Sequence, residues 1–400
     1  AVTVLRHPEF SGTFLVPPDG VVEFPGVGKL TVAGLTLGEV RRQVSERLSA
    51  RLRAPEVSVT LAAQRLRRVY VLGGVVKPGI YAENVTISKS GAPSMPIVFV
   101  SAEPQQAVVN GSFNLLGNYI AIQGFKVVMP SGNQKGIMTT GNYNQIISNY
   151  VTTESTTLGM NNEAFSIRGN YSTISNNNAE KTCFGYNLYG TYHVFTNNEA
   201  SRLKLHYEPQ NPTIPNCGDV DYMRFFGVGH RISNNYFHGV RTDEIGKAHV
   251  DCFQSFDNGG PDYRIENIIV ENNFCSDAAQ GMMLSGGKYF QSKNIIVRNN
   301  VFTRCGSWCV CAYNIDGIYF YHNTCDTTGG IHGMWCRGTD YASCEFKNNI
   351  IYGTGTFYGV TDSARLIDGT PEAPGKNNLL YNPNKLITGY TNDIKNKDPL

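Results

Sequence analysis

The stretch VRTDEIGKAHVDCFQSFD, residues 240–257, gathers acids, bases and an amide within a span short enough for them to meet. Arg241, Asp243, Glu244 and Lys247 precede a strand-like segment that carries His249, Asp251 and Gln254, and Arg224 comes from the segment before it. Two acids at one place suit the acid and base roles in hydrolysis of a sugar bond. A Lys, His or Arg base beside a charge neutraliser suits β-elimination from a uronic acid. The candidate catalytic residues are therefore His249, Asp251, Glu244, Asp243, Lys247 and Arg224. The plainer reading is an exposed polar strand laced with ion pairs, but such strands seldom collect His, Asp and Gln next to a loop of mixed charge. The insertion 200–222 adds Lys204, His206 and Tyr207 to the same neighbourhood.

What would hold these groups in place is a repeat. From about residue 142 a short phrase returns as IISNY, ISNNN, FTNNE, ISNNY, VENNF, VRNNV, YHNTC and FKNNI, which aligns Asn149, Asn177, Asn198, Asn235, Asn273, Asn300, Asn323 and Asn349 at separations of 21 to 38 residues. A period of this size marks an array. Each repeat also carries a short apolar strand ending in Gly (FSIRG, YNLYG, MRFFG, MWCRG) with no helical periodicity, so each repeat reads as one coil of a parallel β-helix. Asn tolerates the left-handed conformation that a sharp corner needs, and its amide can bond to the next Asn along the axis. Residues 137–378 are expected to stack in this way.

Alternation along the strands then sorts their side chains. Phe165, Ile167, Leu188, Met223, Phe225, Leu284 and Cys336 are expected inside. Ser166 and Arg168, Asn187 and Tyr189, Arg224 and Phe226, His249 and Asp251, Met283 and Ser285, Cys309 and Cys311, and Trp335 and Arg337 are expected outside. Coils lie about 4.8 Å apart, so the outer set forms one strip. In this alignment His249 and Asp251 take the lateral positions of Arg224 and Phe226. Tyr189, Gln254, Tyr313, Trp335 and Arg337 are the expected substrate-binding residues, with the aromatic rings suited to stacking on sugar faces.

Composition changes sharply near residue 80: no Asn precedes Asn84 and no Cys precedes Cys183. Residues 1–80 hold 9 Arg and 2 Lys against 6 acids, a net of +5, and the remainder carries 23 basic against 26 acidic residues. The Arg are scattered rather than interleaved with aromatics, which argues against nucleic acid as a partner. No stretch is apolar for long enough to span a bilayer. Ten Cys without CxxC pairs or matching His spacing argue against a zinc site and for disulfides or buried thiols in an extracytoplasmic protein. No metal or other cofactor is called for by the motifs; a calcium requirement stays open.

In the first eighty residues, GTFLVPPDGVVEFPGVGKLTVAGLT predicts a hairpin around Pro18-Asp19-Gly20. Thr36 with Glu39 forms a capping box ahead of a helix whose apolar face is Leu37, Val40, Val44 and Leu48, and which must stop before Pro55. The order PDGVVEFPGVGKLTVAGLTLGEVRRQVSERL, PEVSVTL, VYVLGGVVKPGIY resembles the outer-membrane polysaccharide export proteins. The resemblance implies a small α+β export-type module over residues 1–80, the opening strand of a soluble ligand-binding β-grasp unit, and assembly in rings in the periplasm. From Gly79, GIYAENVTISKSGAPSMPIVFVSAEPQQAVVNGS resembles the first coil of right-handed parallel β-helix proteins of the pectate-lyase-like class.

The expected protein is thus mainly β: an export-type module, then a right-handed parallel β-helix over residues 81–400, whose last residues look like a coil cut short. Its expected role is extracytoplasmic, as a periplasmic, outer-membrane-associated or secreted protein. It would bind and cleave an acidic polysaccharide as lyase or glycoside hydrolase, with the export machinery and further copies of itself as partners. A non-catalytic binding component and a structural spacer or fibre-forming element are the alternatives.

Overall fold

The computed structural model describes residues 1–17, 19–62, 74–156, 158–159, 161–204, 219–241, 248–286, 291–328, 331–338, 342–362, 364–367, 375–381 and 393–395. The chain divides into two compact units, Ala1–Val69 and Tyr70–Leu400. Among the described residues no helix is long and apolar enough to cross a membrane.

In the first unit Val2–Val4 pairs antiparallel with Val57–Val59, and Val21–Phe24 forms a hairpin with Gly28–Thr31. The hairpin turn is not at Pro18–Gly20 as expected but at Pro25–Val27. There Pro fixes its own φ, Gly26 takes φ 72°, and the Val27 N–H donates to the Phe24 carbonyl at 3.1 Å. Gly20 also takes φ 72°, but it closes a separate turn in which the Val21 N–H donates to Asp19 Oδ1 at 3.1 Å. The helix, Leu37–Leu48, opens on the expected box: Glu39 N–H donates to Thr36 Oγ1 at 3.2 Å, and Thr36 N–H donates to the Glu39 carboxylate at 2.7 Å. Val40, Val44 and Leu48 are buried against Val4, Val22, Phe24 and Leu30. Leu37, expected on that face, is 46 % exposed, because the buried stripe begins one turn further on.

The second unit is a parallel β-helix whose coils each lay one strand on three sheets. Sheet 1 is typified by Gln145–Ile147, sheet 2 by Tyr150–Thr153 and sheet 3 by Glu163–Ile167, each pairing in parallel with its counterpart in the next coil at Thr173–Ser175, Asn178–Glu180 and Phe184–Leu188. Val75–Val76 pairs with Val100–Ser101, and Gly79–Tyr81 with Ala107–Val109. The described residues of the stretch where the two resemblances meet, Val75–Val76 and Gly79–Tyr81, are thereby built into the first coil. Phe165, Ile167, Leu188, Met223, Phe225, Leu284 and Cys336 all lie inside with no exposed surface, as alternation requires. Burial of each of the Phe, Ile, Leu and Met side chains contributes about 1.5–3 kcal/mol.

The corner between sheets 1 and 2 uses the Asn phrase, with two jobs given to two residues. The first position (Ser148, Asn176, Asn197, Asn234, Asn272, Asn299, His322, Asn348) takes φ of 55–58°. The second is the buried ladder: Asn149 donates from N–H and Nδ2 to Asn177 Oδ1 at 3.0 and 3.1 Å, and the same pair of bonds recurs from Asn177 through to Asn349. It then passes to Asn378 and ends on the Asp393 carboxylate. The corner between sheets 3 and 1 carries Tyr119, Tyr143, Tyr171 and Tyr192 at positive φ, their rings stacked 4.8, 5.0 and 5.3 Å apart. Beside that stack a second ladder runs from Asn144 N–H to Ser172 Oγ, from Ser172 N–H to His193 Nδ1 and from His193 N–H to His230 Nδ1.

Cys252–Cys275 and Cys309–Cys325 are disulfides that cross the interior from sheet 3 to sheet 2, and Cys183 is disulfide-bonded as well. Cys305, Cys311, Cys336 and Cys344 are buried thiols. Cys309, expected on the outer strip, faces inward for this reason.

Candidate functional site

Sheet 3 carries the acidic cluster, and its strands do not begin with strict alternation. Tyr222 and Met223, and one coil on Cys252 and Phe253, are consecutive residues with no exposed surface. Cys252 is tied inward by its disulfide, and Phe253 joins the core beside it. Counting in twos across that pair misplaces what precedes it. The observed register sets Arg224 beside Gln254 and Met223 beside Phe253, with Asp219 bridged to His249. Asp251 lies in line with Gln280 of the next coil. The expected alignment of His249 with Arg224 is therefore corrected by five residues: His249 and Asp251 belong with Asp219 and Asp221.

The side chains nevertheless converge. Arg224 is 8 % exposed, lies 4.1 Å from the Phe184 ring centroid and 5.3 Å from that of Phe256, and donates from Nε to Asp221 Oδ2 at 2.5 Å and from Nη2 to Asp219 Oδ2 at 2.8 Å. Gln254 Nε2 donates to Asp219 Oδ2 and to Asp251 Oδ2, both at 3.0 Å. Asp221 Oδ1 accepts the backbone N–H of Asp251 at 3.0 Å. His249 Nδ1 lies 3.4 Å from Asp219 Oδ1 and 3.5 Å from Asp251 Oδ1, and its Nε2 stands 2.9 Å from the amide of Gln280. Asp251, expected to be exposed, is fully covered, as is Asp221. Their side chains form the floor of the cluster; His249 and Asp219, 41 % and 31 % exposed, form its accessible edge.

The charges follow from this geometry. Burial pushes Asp251 and Asp221 up from the usual carboxylate range. Asp221 adds to the rise at Asp251, and Arg224 opposes the rise at Asp221. Burial would raise Asp219 too, but His249, Arg224 and Gln254 outweigh it and hold that carboxyl below its ordinary value. His249 is pushed up to about 9, chiefly by its hydrogen bond to Asp219 and against the cost of burial, with further help from the Asp251 charge. Asp219, His249 and Asp251 bring three ligating atoms within 4.8 Å of one another. That set supplies fewer oxygens than the roughly six to eight that calcium takes.

Among the other expected residues, Tyr189 belongs to an aromatic wall with Phe226 at 5.0 Å and Tyr263 at 6.2 Å, under the guanidinium of Arg168 at 4.3 Å. Trp335 lies in the Arg224–Gln254 line, three coils beyond Gln254, and Tyr313 and Arg337 lie on the strip at the same end. The structure does not bring these three to the cluster. Asp243, Glu244 and Lys247, with His206 and Tyr207, fall outside the described residues. Asp219, Asp221 and Gln280 were missed by sequence reasoning. The signal was there: GDVDYMRFF set over AHVDCFQSF aligns Val220 with Val250, Asp221 with Asp251 and Phe226 with Phe256.

Comparison with known proteins divides the chain at the same region. Residues 1–62 match the family described as polysaccharide biosynthesis/export protein. Over 72 residues the chain is 40 % identical to the EPS I polysaccharide export outer membrane protein EpsA of Ralstonia nicotianae, covering 18 % of this chain and 19 % of that one. Over 75 residues it is 36 % identical to the EpsA of Ralstonia solanacearum, covering 18 % and 20 %. The chain thus spans about a fifth of the length of these relatives. Among solved structures, the mannuronan C-5 epimerase AlgE6 A-module of Azotobacter vinelandii superposes with a TM-score of 0.49 at 12 % identity, over 76 % of this chain and 84 % of that one. The catalytic domain of a GH87 α-1,3-glucanase gives 0.48 at 14 %, over 76 % and 59 %. At such values the likeness says nothing of chemistry. The N-terminal residues resemble polysaccharide export proteins, and the acidic cluster belongs to the β-helix that follows them.

Proposed function

We propose that the chain is an extracytoplasmic, carbohydrate-active protein linked to polysaccharide export, and that its β-helix binds an acidic polysaccharide along sheet 3 and cleaves it by β-elimination at His249. The observation that carries this reading is the setting of one imidazole. Its Nδ1 lies between the carboxylates of Asp219 and Asp251 at 3.4 and 3.5 Å, while among the described residues its Nε2 faces the neutral amide of Gln280. The carboxylates orient the ring with Nδ1–H inward and make it a strong base. Hydrolysis needs two carboxyl groups flanking the sugar bond; elimination needs no such pair. Nε2 takes the proton α to the uronate carboxylate, the C–H electron pair becomes the double bond, and the β C–O bond breaks as its oxygen takes up a proton.

Arg224 does not neutralise the substrate carboxylate in this scheme, because its charge is already shared by Asp219 and Asp221. For that role the sequence offers Lys247, and in the same stretch Asp243 and Glu244 as the acids that would return the proton. Hydrolysis is kept as a second reading on one observation: Asp219 is held ionised while Asp251 is held toward its protonated form, the division that separates a base from an acid. The first module, its outer-membrane partners, its periplasmic setting and any ring of copies belong to the same proposal; the disulfides support an oxidising compartment.

A panel of acidic polysaccharides, assayed in parallel for unsaturated products and for reducing ends, tests the reading. Unsaturated ends that fall at least a hundredfold in His249→Ala, with binding retained, support elimination. Reducing ends without unsaturation, lost in Asp251→Asn and Glu244→Gln, support hydrolysis. Turnover unchanged in all three variants removes the site assignment, and no product from any polymer leaves a binding component or a spacer.

A further inference from the structure

The chain has 2 Trp in 400 residues, and both fall on the sheet that carries the acidic cluster. Trp308 follows Asp251 and Gln280 in the same line of the register, and His332 follows Trp308. Trp335 closes the neighbouring line that runs Gln254, Met283, Cys311, Trp335. At one coil per 4.8 Å, Trp308 stands about 10 Å and His332 and Trp335 about 14 Å from the coil of Asp251. The strip therefore changes along its length from charged to aromatic.

These rings are placed rather than packed away. All three are only half-buried. The Trp308 and His332 rings stack at 4.2 Å and 27°, and Trp335 meets Trp308 edge-on at 6.1 Å and 77°. His332 Nδ1 is fixed by Thr356 Oγ1 at 2.6 Å. Trp335 lies across Gly359 of the next coil, where a Cβ would come within 3.0 Å of its six-membered ring, so the absence of a side chain there lets the indole lie down. The buried Trp335 Nε1 and Gln280 Oε1 have no hydrogen-bond partner among the described residues. Ordinary cross-strand pairing accounts for the ring contacts. It does not account for Trp308 standing in line with Asp251 and Trp335 in line with Gln254, nor for the unspent polar atoms beside them.

We propose that Trp308, His332 and Trp335 form sugar-binding positions on the C-terminal side of the acidic cluster, so that the occupant is a polymer extending about three units beyond the reacting bond. The proposal rests on the reading of sheet 3 as a polysaccharide surface. A pyranose in an extended glycan advances by about one coil spacing, so successive sugars would meet successive coils. Their apolar C–H faces suit the indoles, and their hydroxyls suit Gln280 Oε1 and the indole N–H.

Because both Trp lie in the patch, the chain's own fluorescence reports occupancy. The full chain carrying His249→Ala is titrated with oligomers of two, four and eight units prepared from alginate and from polygalacturonate, following emission and heat. Emission is expected to shift, with affinity rising at least about tenfold from two to eight units. Trp308→Ala is expected to erase that gain, Trp308→Phe to restore part of it, and both to leave the two-unit affinity within about twofold. Affinity independent of length, or an equal loss in Trp308→Ala at every length, overturns the proposal while leaving polysaccharide binding in place. Binding with the expected length dependence but no cleavage by the unsubstituted chain upholds the positions and removes the catalytic reading. No binding of any oligomer overturns the polysaccharide reading and the proposal with it.

Discussion

His249 sits between two carboxylates, and this sets the direction of two pH effects. Its folded value near 9 lies above the ordinary 6.5. The stability gained from this pairing is therefore complete below pH 6.5 and is lost as pH rises through about 9. A base must be neutral, so kcat/KM for elimination is expected to rise with pH up to about 9 and level off there. Asp219→Asn, which removes the largest cause, should move that limb toward 6.5 in a pH–rate profile. Arg224 by contrast is held by Asp221 and Asp219. Arg224→Ala would leave Asp221 buried without its cation, and a loss of about 3–5 kcal/mol is expected in chemical denaturation. An exposed strip residue would show almost nothing, so this measurement also separates the cluster from ordinary surface ion pairs.

The two residues of the Asn phrase are expected to respond oppositely to substitution. Asn272 takes φ 56° at the corner, so Asn272→Gly should be nearly neutral while Asn272→Ala costs about 1–2 kcal/mol. Asn273→Ala strands two donors of Asn235, at about 1–3 kcal/mol each, whatever its own conformation. Denaturation midpoints of the three variants check this. At the other corner, burial drives His193 down to about 4 and His230 to about 3. Their folded forms stay neutral where the unfolded chain takes up protons, so stability should fall as pH drops from 6.5 toward 4, and less so in His193→Gln. These corners were legible in the sequence because every coil repeats the same job with the same residue. The entry into sheet 3 was not, since its register depends on Cys252 and Phe253 both turning inward, which no period-2 count contains. The hairpin of the first unit was misplaced because two Gly-bearing turns compete for it. Asp219 and Asp221 stayed hidden because the Asn phrase, rather than the local echo of VDY in VDC, served as the ruler.

Across the whole molecule, the two disulfides of the later coils close spans of 23 and 16 residues. Chain entropy assigns such loops about 3 kcal/mol each. Reductant is expected to lower the guanidinium midpoint read by Trp308 and Trp335 fluorescence, and an unchanged midpoint would show that stacking alone holds those coils. Stacking has a further consequence at the Asn corner. Each coil hands the next the same pair of hydrogen bonds, whatever chain hangs between them. The spans that vary most are those from sheet 2 to sheet 3: Thr153 to Glu163, Glu180 to Phe184, Ser201 to Met223 and His238 to Asp251. A gene encoding such a chain can copy or drop a whole coil without disturbing a corner, and can lengthen a rim loop without disturbing a coil. Length along the axis and loop content at the rim are thus open to separate inheritance, one by duplication and the other by local insertion.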